Sequence, residues 1–482
     1  MTLPLAGAAP EKALGLINGI SLTAGLQIGS GIFASPGVVV ANTGSVGASL
    51  SVWLLSGLLS WTGASSLAEL GAALPFNGGV QAYLGRAYSP LASCMYTWTL
   101  ILVLSPGSKA VISLVFAEYI CRAVCGGAEV QSWTIQLVAL AAIGAVTLLC
   151  ACTHGLGSRA AVVFMAAKIL AMVAVALCGV AQLLRGRASS SLTGNLFAGS
   201  SRSPHAYGRA LCSGLWAFDG WDQVGFVGGE MQQPEKTIPR TLHGSMALVL
   251  VLFLLANLSY FVVLEKDAVG ASNTIALDFG QAMFGAPGGA LFALVVALSC
   301  FGALHASFFT DSRAVHAAGR TGILPARFGA VHPTRRTPVN ALFLQAGTTG
   351  VFVLAGVGFR ALVGFAVVTS WALYFLVVRV HMHLSYVLSG LGIWLVRRQV
   401  LGVMVLWVRE PDLPRPYKTW TVTPVVFCMV ALFVLSVPAL TAPWQTLTVA
   451  ACVGTGVSVY YVTLQRKLRL LDDISPRPTV QI

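Results

Sequence analysis

The run Ile28-Gly29-Ser30-Gly31-Ile32-Phe33 interrupts an apolar stretch that covers residues 14–40. A stretch of that length can cross a bilayer, which takes about 20 helical residues. Glycine costs a helix interior about 1 kcal/mol relative to alanine, and two within three residues invite unwinding at mid-membrane depth. Irregular backbone at that depth is tolerated only where it is buried in protein or faces a watery cavity. A second run, Trp216-Ala217-Phe218-Asp219-Gly220-Trp221, breaks the apolar stretch 207–231 in the same way.

Working outward, candidate spans fall at 14–40, 46–74, 91–120, 132–152, 158–184 and 207–231. Six more follow at 242–264, 283–311, 338–358, 361–378 (continuing later), 422–440 and 444–464. The broken spans are the first and the sixth of twelve. Interrupted helices at matching positions in two halves point to an inverted-repeat transporter with a central site. Residues 14–184 form one repeat of five helices and 207–408 the other, with 422–464 outside both. One Gly-x-Gly alone serves close helix packing equally well; the matched pair carries the reading.

Composition excludes the other classes. Of 482 residues, 56% are hydrophobic and 9% charged, against roughly 25% charged in soluble proteins. So few charges cannot solvate a soluble molecule of this size, and a disordered chain would be apolar-poor and charge-rich. Most of the ten cysteines lie in apolar runs, where they act as small hydrophobes. No metal spacing appears, so no metal or cofactor is expected. The first segment lacks a basic region and a cleavage site, so no removable signal peptide is expected. The net charge of +13 is a matter of topology rather than of nucleic-acid binding, because basic residues collect on the cytosolic side of membrane proteins. With 1–13 and 465–482 placed in the cytosol, 20 Lys and Arg lie inside and 7 outside, and Lys109 and Lys168 fall within spans. That ratio places both termini inside.

The motifs are specific. Ile28 to Phe33, Ala68-Glu69-Leu70-Gly71 and Asn77-Gly78-Gly79 resemble the amino acid–polyamine–organocation superfamily. Within it, the L-type amino acid transporter family is resembled by the runs Ser213 to Gln223 and Gly229 to Arg240. Phe309-Thr310-Asp311-Ser312-Arg313 and Arg409 to Pro416 extend the similarity. The resemblance covers about 12–465, and its wording is closest to fungal members. It implies an all-α integral membrane protein of LeuT-like fold, with twelve transmembrane helices, a 5+5 inverted repeat and discontinuous helices 1 and 6. It also implies sodium-independent, alternating-access transport of amino acids, large neutral and also cationic, with the plasma membrane as the expected location. A non-transporting amino acid sensor on the same scaffold is the alternative. Nothing supports catalysis: no triad, paired carboxylates or metal set is present. Exchange, proton symport and uniport all remain compatible with these residues.

A zwitterionic amino acid brings a carboxylate and an ammonium into a low-dielectric space, and each must be paired there. Free N–H groups around Gly29, Ser30, Gly31 and Ile32 suit the carboxylate. Carbonyls at Ile28, Trp216, Ala217 and Asp219 suit the ammonium, with Gly220 and Asp222 completing the second break. Ser370 and Trp371 match family pocket positions. Trp216 stands where the family has an aromatic gate, though a core tryptophan reads the same way. An acid at Asp219 resembles the branch that also accepts cationic amino acids; an internal pair or a helix cap is the other reading, and Asp222 shares both. Lys168 lies where sodium-coupled relatives hold a sodium ion, and either carries a proton or ties span 1 to span 5. Lys109 is expected to snorkel outward. Glu230 and Arg313 form either a cytosolic gate pair or part of a solvated loop.

Two departures from the family stand out. Animal members join a single-span glycoprotein heavy chain through one external cysteine. Cys121 and Cys125 lie near that loop without aligning to it, so free thiols, a mutual disulfide and, as the lesser expectation, a heavy-chain link are all open. Residues 379–400, with Arg379, Arg397 and Arg398, interrupt span 10. Omitting them joins 361–378 to 401–408 and leads directly into Arg409-Glu410-Pro411, so this segment reads as an insertion, such as a retained intron.

Overall fold

The structure is a computed structural model that describes residues 12–355, apart from 88, 126–129, 153 and 273, together with 414–420, 422–441, 447, 451 and 454–465. Ser370, Trp371, span 10 and the segment 379–400 lie outside the described residues.

Helix α1 (Leu16–Gln27) stops at Ile28, whose ψ of 63° leaves the helical region while its N–H still reaches the Ala24 carbonyl. Helix α2 (Gly31–Thr43) resumes after a bend of 40°. Gly44 closes α2 in the left-handed conformation (φ 77°) that a Cβ disfavours. Ser45 then caps α3 (Val46–Ala73), its hydroxyl accepting from the Ala48 N–H. An amphipathic helix, α4 (Val80–Ala87), follows the Asn77-Gly78-Gly79 turn.

The third span is α5 (Pro90–Thr99) running through a π-helical turn, Leu100–Leu104, into α6 (Ser105–Val124). The wide turn accommodates Pro106, which has no N–H to give the preceding turn; such turns recur at functional sites. Helices α7 (Ser132–Cys152) and α8 (His154–Leu184) complete the first five spans. After the short α9 (Ser190–Thr193), α10 (Pro204–Ala217) ends at Phe218. The chain continues through α11 (Gln223–Phe226) and a 3-10 turn, Gly228–Glu230, into α12 (Pro234–Val263). Helix α13 (Lys266–Ala271) leads to α14 (Ile275–Thr321), then α15 (Val339–Leu354) and α16 (Val422–Thr441). Within α14, Gly285 (φ 71°) is non-helical and marks a kink between two helical segments, so the apolar run expected from 283 coincides with the second segment.

Among the described residues, six helices are long and apolar enough to cross a membrane, and α1 with α2 makes a seventh if the bent pair counts as one span. Their core contacts put α2 on α10, α12 on α3, and α14 on α6. At one end of the bundle, Glu265 accepts from the Ser190 and Ser191 N–H groups (2.9 and 3.1 Å) and from both hydroxyls. These bonds, the Ser191 hydroxyl foremost, hold the Glu265 carboxyl below its usual range. The tie is therefore complete at neutral pH and is lost as pH falls through that lowered pKa.

Candidate functional site

The two helix breaks meet. A Cβ on Gly31 would lie 2.5 Å from the Ala217 Cα, so α2 and α10 touch backbone to backbone at the cores of the two motifs. Gly220 has φ 102°, and a Cβ there would come within 2.8 Å of Leu26. Gln27 Nε2 donates to the Phe218 carbonyl at 3.0 Å, which joins one break to the other. The Ile28 carbonyl already accepts from Ser299 Oγ (2.9 Å), and the Trp216 carbonyl from the Asp219 N–H (3.1 Å). A carbonyl has two lone pairs, so each keeps one acceptor site.

A small cavity with polar walls lies against this junction. Of the residues expected at the site, Ser30, Gly31, Trp216, Ala217, Asp219, Gly220 and Asp222 line it. Ile28, Gly29 and Ile32 do not: Ile28 and Ile32 are fully buried behind the wall. The N–H groups opening α2 have no intrahelical acceptor, which leaves the Gly31 end of that helix able to bind an anion. The third span supplies Leu104, Ser105 and Ser108, from the π turn and the helix after it, and α14 supplies Ser307 and Asp311. Serines in an apolar run carry no signal of their own in the sequence, and Asp311 stands there only within the Phe309–Arg313 motif and not as a site residue.

Lys109 does not snorkel outward. Its side chain is fully buried, with Nζ 2.7 Å from Asp311 Oδ2, 2.5 Å from Ser105 Oγ and 3.1 Å from Gln345 Oε1. An ammonium in the bundle interior is stabilised by a carboxylate and two neutral acceptors, whereas the lipid-facing route would carry it through hydrocarbon. Asp311 Oδ2 also accepts from Ser105 (2.5 Å) and Ser307 (3.3 Å).

Lys168 is buried as well, and its Nζ donates to the Gly25 carbonyl, tying α8 to α1 three residues before the break. Among the described residues no carboxylate lies within ion-pair distance of it.

Glu230 and Arg313 are not in a solvated loop. Both are mostly buried and 3.4 Å apart, and the Arg313 guanidinium sits 3.6 Å over the Phe309 ring. Asn77 donates to Glu230 (3.3 Å) and accepts from the Gly229 N–H (2.9 Å). Leu14 exchanges backbone bonds with Glu230 and Gln232. The chain before α1, the turn before α4 and the turn before α12 thus close together around the ion pair. Removing one partner of a buried pair costs about 3–5 kcal/mol. Arg313→Met is accordingly expected to lower uptake by vesicles at least about tenfold, and uptake equal to wild type would show the pair to be dispensable.

Cys121 and Cys125 are both free thiols, the first buried in α6 and the second exposed at its end. The mutual disulfide is therefore not formed.

A bundle of apolar helices, two of them broken against each other beside a polar cavity, defines a multi-pass membrane transport protein. The chain belongs to the amino acid permease family, whose model matches residues 14–458. It is 31% identical to the b(0,+)-type amino acid transporter 1 of Mus musculus, covering 98% of this chain and 91% of that one. The human cystine/glutamate transporter is 30% identical, with 94% and 85% covered. The Asc-type amino acid transporter 1 of Mus musculus is also 30% identical, with 94% and 81% covered. The chain is thus an amino acid permease and not an enzyme.

Proposed function

We propose that the chain moves amino acids across the membrane by alternating access around the two broken helices, on a LeuT-like scaffold of twelve transmembrane helices. Residues 14–184 and 207–408 form the inverted repeats, 422–464 the last two helices, and the termini 1–13 and 465–482 face the cytosol, at the plasma membrane. The observation that carries this reading is the backbone contact of Gly31 on Ala217 beside a cavity with donors at one wall and carboxylates at another. The substrate carboxylate takes the N–H groups at Ser30 and Gly31, and the ammonium takes the remaining lone pairs of the Trp216 and Ala217 carbonyls. Trp216 covers the substrate, while the Glu230–Arg313 closure seals the other end until the protein reopens. Lys168 supplies a resident positive charge beside the first break, so transport needs no sodium.

Uptake of labelled leucine into proteoliposomes is expected to proceed with choline in place of sodium. A sensor would bind without accumulation. Asp219 lines the cavity at the second break and is proposed to favour cationic substrates. Asp219→Gly should weaken competition by arginine at least about tenfold, more than it weakens competition by leucine. If the potency of arginine does not change, Asp219 makes no substrate contact.

A further inference from the structure

The wall supplied by α14 carries a feature that neither helix break explains. Asp311 lies at the cavity, yet its two oxygens are treated very differently. Oδ2 takes three donors, from Ser105, Lys109 and Ser307. Oδ1 is buried and has none. An ionised carboxylate offers about four lone-pair sites, and a buried acceptor left without a donor is destabilising, the more so when it is charged. Lys109 cannot supply the missing donor, because the contacts to Ser105, Asp311 and Gln345 use its three N–H groups. For the same reason it is not free to receive an anionic side chain. The described residues that line the cavity include Asp219, Asp222 and Asp311 and no lysine or arginine. The Ser105 hydroxyl that fixes Asp311 stands at the exit of the π-helical turn, where the local backbone is reshaped at the cavity wall.

We propose that Asp311, held in place by Lys109 and Ser105, is a specificity-determining residue whose unpartnered oxygen receives the cationic side chain of a substrate amino acid. This rests on the cavity being the amino acid site. In the empty protein Lys109 neutralises one of the three wall carboxylates, and a cationic side chain brings the donor that Oδ1 lacks. A neutral side chain brings no charged donor to Oδ1, and an anionic one adds repulsion.

The test is equilibrium binding of labelled arginine and leucine to the purified full-length chain, which does not depend on transport. In the double variant Lys109→Met/Asp311→Leu both charges leave together, so no buried ion is stranded. The arginine-to-leucine affinity ratio is expected to fall at least about tenfold. In Lys109→Gln the carboxylate keeps its place without its competing cation, and the same ratio is expected to rise. A purely structural pair would weaken both ligands in parallel, and an unchanged ratio or an equal loss in the double variant overturns the assignment. If Lys109→Gln does not fold, the double variant alone decides. Failure of the transport reading shows separately, as binding without accumulation by the wild-type chain.

Discussion

Gly31→Val is expected to abolish uptake, by at least about a hundredfold, while Gly25→Ala leaves it within about twofold. The two glycines lie six residues apart across the first break, but their surroundings are opposite. A Cβ at Gly31 would stand 2.5 Å from the Ala217 Cα and 2.9 Å from its Cβ. The first obstacle is backbone, so no side-chain rotation relieves it, and α2 must separate from α10. Overpacking of this kind costs roughly 1–3 kcal/mol even in cores that adjust, and here it also displaces the N–H groups proposed to hold the substrate carboxylate. At about 1.4 kcal/mol per tenfold, an overpacking cost near 3 kcal/mol alone accounts for a hundredfold loss. Gly25 is equally buried, yet a Cβ there meets nothing within 4 Å, and alanine favours the helix by up to about 1 kcal/mol. Uptake per reconstituted protein, with size-exclusion profiles for both variants, checks the pair. Robust uptake by Gly31→Val would mean that the breaks need not touch during transport.

The contrast shows how much of the site is legible in the sequence. Two glycines in an apolar run announce a broken helix, because few other arrangements tolerate them at membrane depth. Asp219 and Asp222 announce a polar site for the same reason. Of the seven expected residues that line the cavity, Ser30, Asp219 and Asp222 are polar and Gly31 and Gly220 disfavour a helix, while Trp216 and Ala217 follow from their place in the second break. Ile28 and Ile32, expected at the site for their backbone groups, fall behind the wall, since neighbours along a broken helix point in different directions. The destination of Lys109 was invisible. A lysine within a span reads equally as a snorkelling residue or as half of an internal pair, and its partner Asp311 lies on α14, far away in the chain. Only the facing registers of α6 and α14 bring them together, aided by the π turn, which no periodicity in 91–120 announces. The eighth span's expected start at 283 falls beside Gly285, where one helical segment ends at a kink and the next begins.

Lys168→Met is expected to lower uptake at least about tenfold while leaving thermal stability unchanged or higher. The asymmetry follows from the surroundings of the ammonium. Its bond to the Gly25 carbonyl is the one hydrogen bond it makes among the described residues, and no described carboxylate compensates its charge. Burying an ion without a counter-ion costs several kcal/mol, and replacing buried charge with an apolar side chain of similar volume is often neutral or stabilising. Methionine fills nearly the same space and is adaptable enough to pack beside Gly302, where a Cβ would already sit 3.1 Å from the Lys168 Cε. The fold therefore gains little from this charge, and a costly charge in a span is kept for function. The proposed function rests on its position, three residues before the break at Ile28, where the ammonium stands beside the first break as the cavity opens and closes. A melting temperature that falls together with uptake would instead make Lys168 a structural tie, and full uptake by the methionine variant would remove the ammonium from the mechanism altogether.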